Sequence, residues 1–124
     1  MEFQKDNSFF SGRVKSVSFA VKGAVKLITT EHSIMVQFCI GILMTILGFF
    51  MQITTTEWLF QTLAIGLVMS VEGINTAVEK IADFIHPNYN EKIGFIKDIA
   101  AGAVFFAALT AIAIGLIIYI PKIF

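Results

Sequence analysis

The stretch Trp58-Leu-Phe-Gln-Thr-Leu-Ala-Ile-Gly-Leu-Val-Met-Ser-Val71-Glu72-Gly-Ile-Asn75-Thr-Ala-Val-Glu79-Lys-Ile-Ala-Asp83 opens apolar and closes on acids without a break in helical pattern. Nothing from Trp58 to Val71 is charged, and then Glu72, Asn75, Glu79 and Asp83 follow at intervals of three, four and four. Residues so spaced share one face of a helix. The four fall within an arc of about 80° and along about 16 Å of axis. A carboxylate carried into hydrocarbon is costly and marks function by default, so this segment predicts both a membrane span and a chemical site.

Two further windows have the length of a spanning helix. Ile34 to Gln52 carries no charge over nineteen residues and Ile99 to Ile120 none over twenty-two. Of the 124 residues 56% are hydrophobic and 15% charged, against about 25% charged in soluble proteins. Three spans, at about 34–52, 58–84 and 99–120, leave no room for a soluble unit. The reading is an all-α integral membrane protein with one domain over 1–124. His86-Pro87 should stop the second helix, because proline disfavours helical geometry in the residue before it, and Glu91 to Asp98 reads as a short connection.

Ahead of the spans, Met1 to Gly12 is polar and is expected to be partly disordered. From Arg13 to about Thr29, Val14, Val17, Val21, Ala24, Val25 and Ile28 recur at helical spacing with Lys15, Lys22 and Lys26 on another side. This is the pattern of an amphipathic helix lying on a membrane surface. Thr30 or Ser33 would cap the first span. Trp58 and Tyr119 are placed as interfacial belt residues.

Lys and Arg number nine, as do Asp and Glu; a net charge of zero gives no case for nucleic acid. Basic residues concentrate before the first span and between the second and third, which puts the N-terminus in the cytoplasm. No early apolar core precedes a small-residue cleavage site, so no cleaved signal peptide is expected. Cys39 is single and sits in an apolar run, which excludes thiolate sites and leaves a small hydrophobe. His32 and His86 lack metal-ligand spacing, and there is no Walker A loop, nucleophile elbow or zinc signature.

Collected by depth, Glu31, Glu72, Asn75, Glu79, Asp83, Lys97 and Asp98 are expected to converge on the cytoplasmic edge of the bilayer. Hard oxygen donors of this kind suit Mg²⁺, which takes one or two carboxylates plus substrate phosphates, and a lysine beside them neutralises phosphate charge. Glu72, the deepest carboxylate, is the best-placed general base. Two rival readings use the same stripe: an ion or proton path, which needs polar groups continuing to the outer side, and a scaffold whose acids pair with bases during assembly. Toward the outer side the chain offers few polar side chains beyond Gln61, Thr62 and Thr110.

The segments Phe19-Ala-Val-Lys22-Gly23, Glu31, Glu72-Gly-Ile-Asn75-Thr-Ala-Val-Glu79-Lys-Ile-Ala-Asp83 and Lys97-Asp98-Ile-Ala-Ala-Gly-Ala-Val104 resemble the small bacterial integral-membrane diacylglycerol kinases and their relatives the undecaprenol kinases. The resemblance implies a homotrimer with N-terminal surface helices in the bacterial cytoplasmic membrane, with composite sites between neighbouring chains. It implies transfer of the γ-phosphoryl group of ATP, with Mg²⁺, to the hydroxyl of a membrane lipid. By position it makes Glu72 the catalytic base and Glu31 and Glu79 the metal ligands. Lys97, Asp98, Asn75, Asp83 and Lys22 would face nucleotide or phosphate, and Glu72 with Asn75 the lipid substrate. Met35, Ala20 and Val21 depart from one branch of the family, and Lys97-Asp98-Ile-Ala-Ala-Gly-Ala reads closer to the undecaprenol kinase branch.

Overall fold

The computed structural model describes residues 9–124. Four helices follow one another: α1 Phe9–Thr30, α2 His32–Phe50, α3 Thr55–Ile85 and α4 Glu91–Ile123. The last three are long and apolar enough to cross a membrane. At 1.5 Å per residue, the 31 residues of α3 extend about 46 Å and the 33 of α4 about 50 Å, both longer than the roughly 30 Å hydrocarbon core. Their polar ends therefore emerge from it.

Most of the apolar surface faces outward. Leu43, Ile46, Phe49, Phe106 and Ile117 are each at least three-fifths exposed, an outer surface that water would not tolerate over such an area and that lipid or neighbouring helices would cover. α3 and α4 pair most extensively, α2 lies against α3 and α1 against α2.

The hairpin between α2 and α3 shows why the chain turns where it does. Gln52 adopts a left-handed backbone, φ 52°, and donates its N–H to the Phe49 carbonyl while the Ile53 N–H reaches the Gly48 carbonyl. These are the two bonds of a Schellman C-cap. Thr54 then opens α3 with a reciprocal capping box: its hydroxyl accepts from the Glu57 N–H at 3.2 Å, and the Glu57 carboxylate accepts from the Thr54 N–H at 2.9 Å. Ile53 and Trp58, on either side of the box, pack together as a hydrophobic staple. Lys122 closes the same end by pairing with Glu57 at 3.0 Å.

Gly48 is required at this corner because a Cβ there would stand 2.8 Å from Trp58 Cη2 and 3.1 Å from Ile53 Cδ1. Neither the indole nor the buried isoleucine is a free end that can swing aside. Gly48→Ala is expected to destabilise the bundle by about 1–3 kcal/mol. Thermal unfolding in detergent reads the loss, and emission from the chain's single tryptophan should shift with it; an unchanged midpoint would mean that the corner can open freely.

Several local expectations need correction. Phe9 to Gly12 are the first residues of α1, not disordered, since the Ser16 hydroxyl bonds back to the Gly12 carbonyl and the Arg13 guanidinium sits over the Phe9 ring; Met1 to Ser8 lie outside the described residues. The N-cap of α2 is Glu31 rather than Thr30 or Ser33, because the Thr30 hydroxyl is used inside α1, on the Lys26 carbonyl. Glu91 to Asp98 are helical and form the first two turns of α4, opened by the Asn90 side chain accepting from the Lys92 N–H at 2.8 Å.

Tyr119 is buried rather than in an interfacial belt: its hydroxyl donates to Gln61 Oε1 at 2.6 Å, and Gln61 Nε2 donates to the Met44 carbonyl at 2.9 Å. Three spans are thereby tied by one satisfied polar chain inside the apolar bundle, where an unsatisfied polar group would be expensive. α3 ends as read from the sequence, at Ile85, with His86 as C-cap ahead of Pro87.

Candidate active site

Glu72 lies seventeen residues into α3, about 26 Å along its axis from Thr55. It is buried, with 7% of its surface exposed, and its Oε2 has no hydrogen-bond partner. Val68, one turn earlier, and Thr76, one turn later, are buried on the same side. The Thr76 hydroxyl is occupied by the Glu72 backbone carbonyl at 3.1 Å and leaves the carboxylate untouched. A buried acid with an unpaired oxygen is a group whose hydrogen-bonding capacity this chain leaves unused.

One turn on, Asn75 donates its amide to Glu79 Oε1 at 3.1 Å, while its own Oδ1 is buried and unpartnered. Glu79 is exposed. Further toward the end of α3, Asp83 accepts from Lys97 of α4 at 2.6 Å, and Asp98 is exposed next to it. Glu31, at the break between α1 and α2, pairs with Lys80 of α3 at 3.2 Å. α1 reaches the same region: a Cβ on Gly73 would stand 3.3 Å from Leu27 Cδ1. Lys22 is exposed on α1, its ammonium 5.9 Å from the Phe19 ring centroid.

Three segments therefore meet at one end of the bundle, through Glu31–Lys80 and Asp83–Lys97. Glu31 and Asp83 are each paired with a lysine and Glu79 with Asn75, and among the described residues no three His, Cys, Asp or Glu side chains are grouped closely enough to hold a metal ion. The donor set still fits a magnesium-bound nucleotide, which needs only one or two protein carboxylates because phosphates supply the other ligands. The orphaned Asn75 oxygen and the accessible Glu79 carboxylate are hard oxygen donors on adjacent turns. Lys97, held by Asp83 one turn beyond Glu79, offers a cation at the same end of α3.

The apolar groove between α2, α3 and α4, about 550 Å³, runs from the level of Gln37 and Met69 to that of Tyr119 and Ile123 and has Gln37, Gln61 and Tyr119 as its polar lining. Two of these three are satisfied by each other. Among the described residues no continuous series of polar groups lines it, so a transmembrane cation path gains no support.

Sequence reasoning missed Lys80 as the partner of Glu31, the Gln61–Tyr119 bridge and the capping box. The box was readable as Thr54-x-x-Glu57 before an apolar run. The other two join residues far apart in the chain, and nothing local announces them.

The family model for prokaryotic diacylglycerol kinase matches residues 18–119, a span that contains every candidate site residue. The chain is 33% identical over 117 residues to the undecaprenol kinase of Bacillus subtilis (strain 168), an overlap of 94% of this chain and 92% of that protein. It is 40% identical over 58 residues to the diacylglycerol kinase of a Synechocystis species, covering 46% of this chain and 33% of that one. With three apolar helices long enough to cross a bilayer, the protein falls in the class of membrane-embedded lipid kinases. The chain belongs to the prokaryotic diacylglycerol kinase family.

Proposed function

We propose that the protein transfers the γ-phosphoryl group of ATP to the hydroxyl of a membrane lipid, with undecaprenol favoured over diacylglycerol as acceptor. The observation that carries this reading is Glu72, a carboxylate inside a membrane-spanning helix with an unpartnered oxygen. The likeness to an undecaprenol kinase along nearly the whole chain supports the choice of acceptor, whereas the Synechocystis diacylglycerol kinase aligns with under half of it.

Glu72 accepts the proton of the lipid hydroxyl as its oxygen attacks the γ-phosphorus in line. The new O–P bond forms while the bond from the γ-phosphorus to the β,γ-bridging oxygen breaks, and the nucleoside diphosphate leaves. Asn75, one turn away, orients the hydroxyl. Glu79 and Glu31 would hold Mg²⁺, which when bound offsets the negative charge of the phosphates. Lys97 adds a positive charge on the same phosphates, with Asp83 fixing its ammonium, while Asp98 and Lys22 complete the polar surround of the nucleotide. Phosphoryl transfer asks mainly for positioning and charge neutralisation, and a site at the bilayer edge lets a water-borne nucleotide meet a lipid alcohol without either changing phase.

In this account residues 1–124 form a single lipid kinase domain in a bacterial cytoplasmic membrane, with the N-terminus and the acidic end of α3 facing the cytoplasm. α1 lies in the headgroup layer, where Lys15 and Lys26 meet lipid phosphates. The protein assembles as a homotrimer whose neighbouring chains cover the outward apolar faces and complete the sites.

The test is purified protein in mixed micelles with Mg²⁺, ATP labelled at the γ-phosphate, and undecaprenol or diacylglycerol supplied in parallel. Label should enter both lipid extracts, with the larger kcat/KM for undecaprenol. The reverse order would reassign the acceptor, and label in neither would remove both lipids as substrates.

A further inference from the structure

Glu31 is the one residue between α1 and α2. As the N-cap of α2 it has an extended backbone, φ −106° and ψ 115°, and makes no side-chain cap bond. Its Oε1 turns instead to Lys80 Nζ at 3.2 Å. Lys80 follows Glu79 directly and is 70% exposed at its side chain, against 25% for Glu31. The other lysine near the stripe, Lys97, is engaged by Asp83 at 2.6 Å, so each lysine holds one acid.

We propose that Lys80 is a positioning residue for the nucleotide site: it draws the Glu31 carboxylate off its own helix terminus and holds it beside the Glu79 turn of α3. The inference rests on the reading of Glu31 as a metal–nucleotide ligand. An exposed ion pair contributes little to stability, so the function of this one is geometric. Without the ammonium, Glu31 can fall back to the α2 N-terminus, where free N–H groups and the helix dipole favour a carboxylate. It is then lost to the turn that carries Glu79.

The experiment is equilibrium dialysis of the full chain in detergent against Mg²⁺ and a labelled non-hydrolysable ATP analogue, with lipid KM measured alongside. Lys80→Gln should weaken nucleotide binding by about tenfold, within the range of couplings seen between contacting residues. Lys80→Arg should restore it to within about twofold and lipid KM should stay level. Because Lys80 is exposed, the thermal midpoint of Lys80→Gln should match that of the parent. Glu31→Gln should weaken binding at least as much, and adding Lys80→Gln to it should do nothing further.

Impaired binding in Glu31→Gln with normal binding in Lys80→Gln would overturn the positioning role. An additive double variant would overturn it in another way, by showing that Lys80 acts on phosphate directly. Normal binding in Glu31→Gln would instead refute the reading of Glu31 on which the inference stands.

Discussion

Glu72→Gln is expected to lower kcat by about a thousandfold, within the roughly 10²–10⁴ that a positioned general base contributes, and to leave the fold intact. The substitution keeps the shape of the side chain and removes its charge. Glu72 Oε2 has no protein partner to lose, and the Thr76 hydroxyl is tied to the backbone rather than to the carboxylate, so no internal bond breaks. Taking a charge out of a buried position also removes a desolvation penalty. The variant should therefore unfold at or above the parent midpoint and elute at the same oligomeric size. Its nucleotide KM should change by less than about threefold, because the lost interaction belongs to the transition state. A normal rate would exclude Glu72 as the base; a lost oligomer would make it a structural acid.

Glu79→Gln is the second large effect, with a different signature. Glu79 is exposed and its Oε1 accepts from the Asn75 amide. A glutamine oxygen can keep that bond, so helix and bundle should persist. What disappears is a charged hard-oxygen ligand, and removing one such electrostatic contact at a phosphoryl centre is expected to reduce kcat/KM by about a hundredfold. The Mg²⁺ concentration for half-maximal rate should rise. Rates measured across a Mg²⁺ series separate this from the Glu72 lesion, which should not respond to added metal. An unchanged Mg²⁺ requirement would remove Glu79 from the metal site.

Much of the fold was legible because a bilayer imposes few solutions. An uncharged run near twenty residues long becomes a spanning helix whatever its neighbours do, and α2 and α4 each contain one, while α3 offers fourteen uncharged residues from Trp58 to Val71 ahead of its acidic stripe. The stop at His86-Pro87 was equally local, a steric consequence of the proline ring. Tyr119 was misjudged for the opposite reason. An aromatic hydroxyl near a span end suits a headgroup belt, but a glutamine on another helix captured it, and only the packing of α3 on α4 brings Gln61 within 2.6 Å.

The site divides along the same line. Glu72, Asn75, Glu79 and Asp83 were visible as a stripe because helical spacing alone aligns them. Glu31 and Lys97 could be placed at the same depth from the span boundaries, with their roles given only by resemblance, and their attachment to α3 at Lys80 and Asp83 depends on how three segments meet.

The central claim, that the acidic end of α3 holds the metal–nucleotide, can be tested by distance. Mn²⁺ would replace Mg²⁺ with a non-hydrolysable ATP analogue, and nitroxide labels would be placed by Phe84→Cys or Phe50→Cys in a Cys39→Ala background. Both phenylalanines are more than four-fifths exposed. Pulsed dipolar spectroscopy in nanodiscs should put the metal about 10–15 Å from the label at 84 and about 35 Å from the label at 50, as helix rise dictates for Glu79. A metal nearer to position 50, or no nucleotide-dependent coupling at 84, would contradict the account.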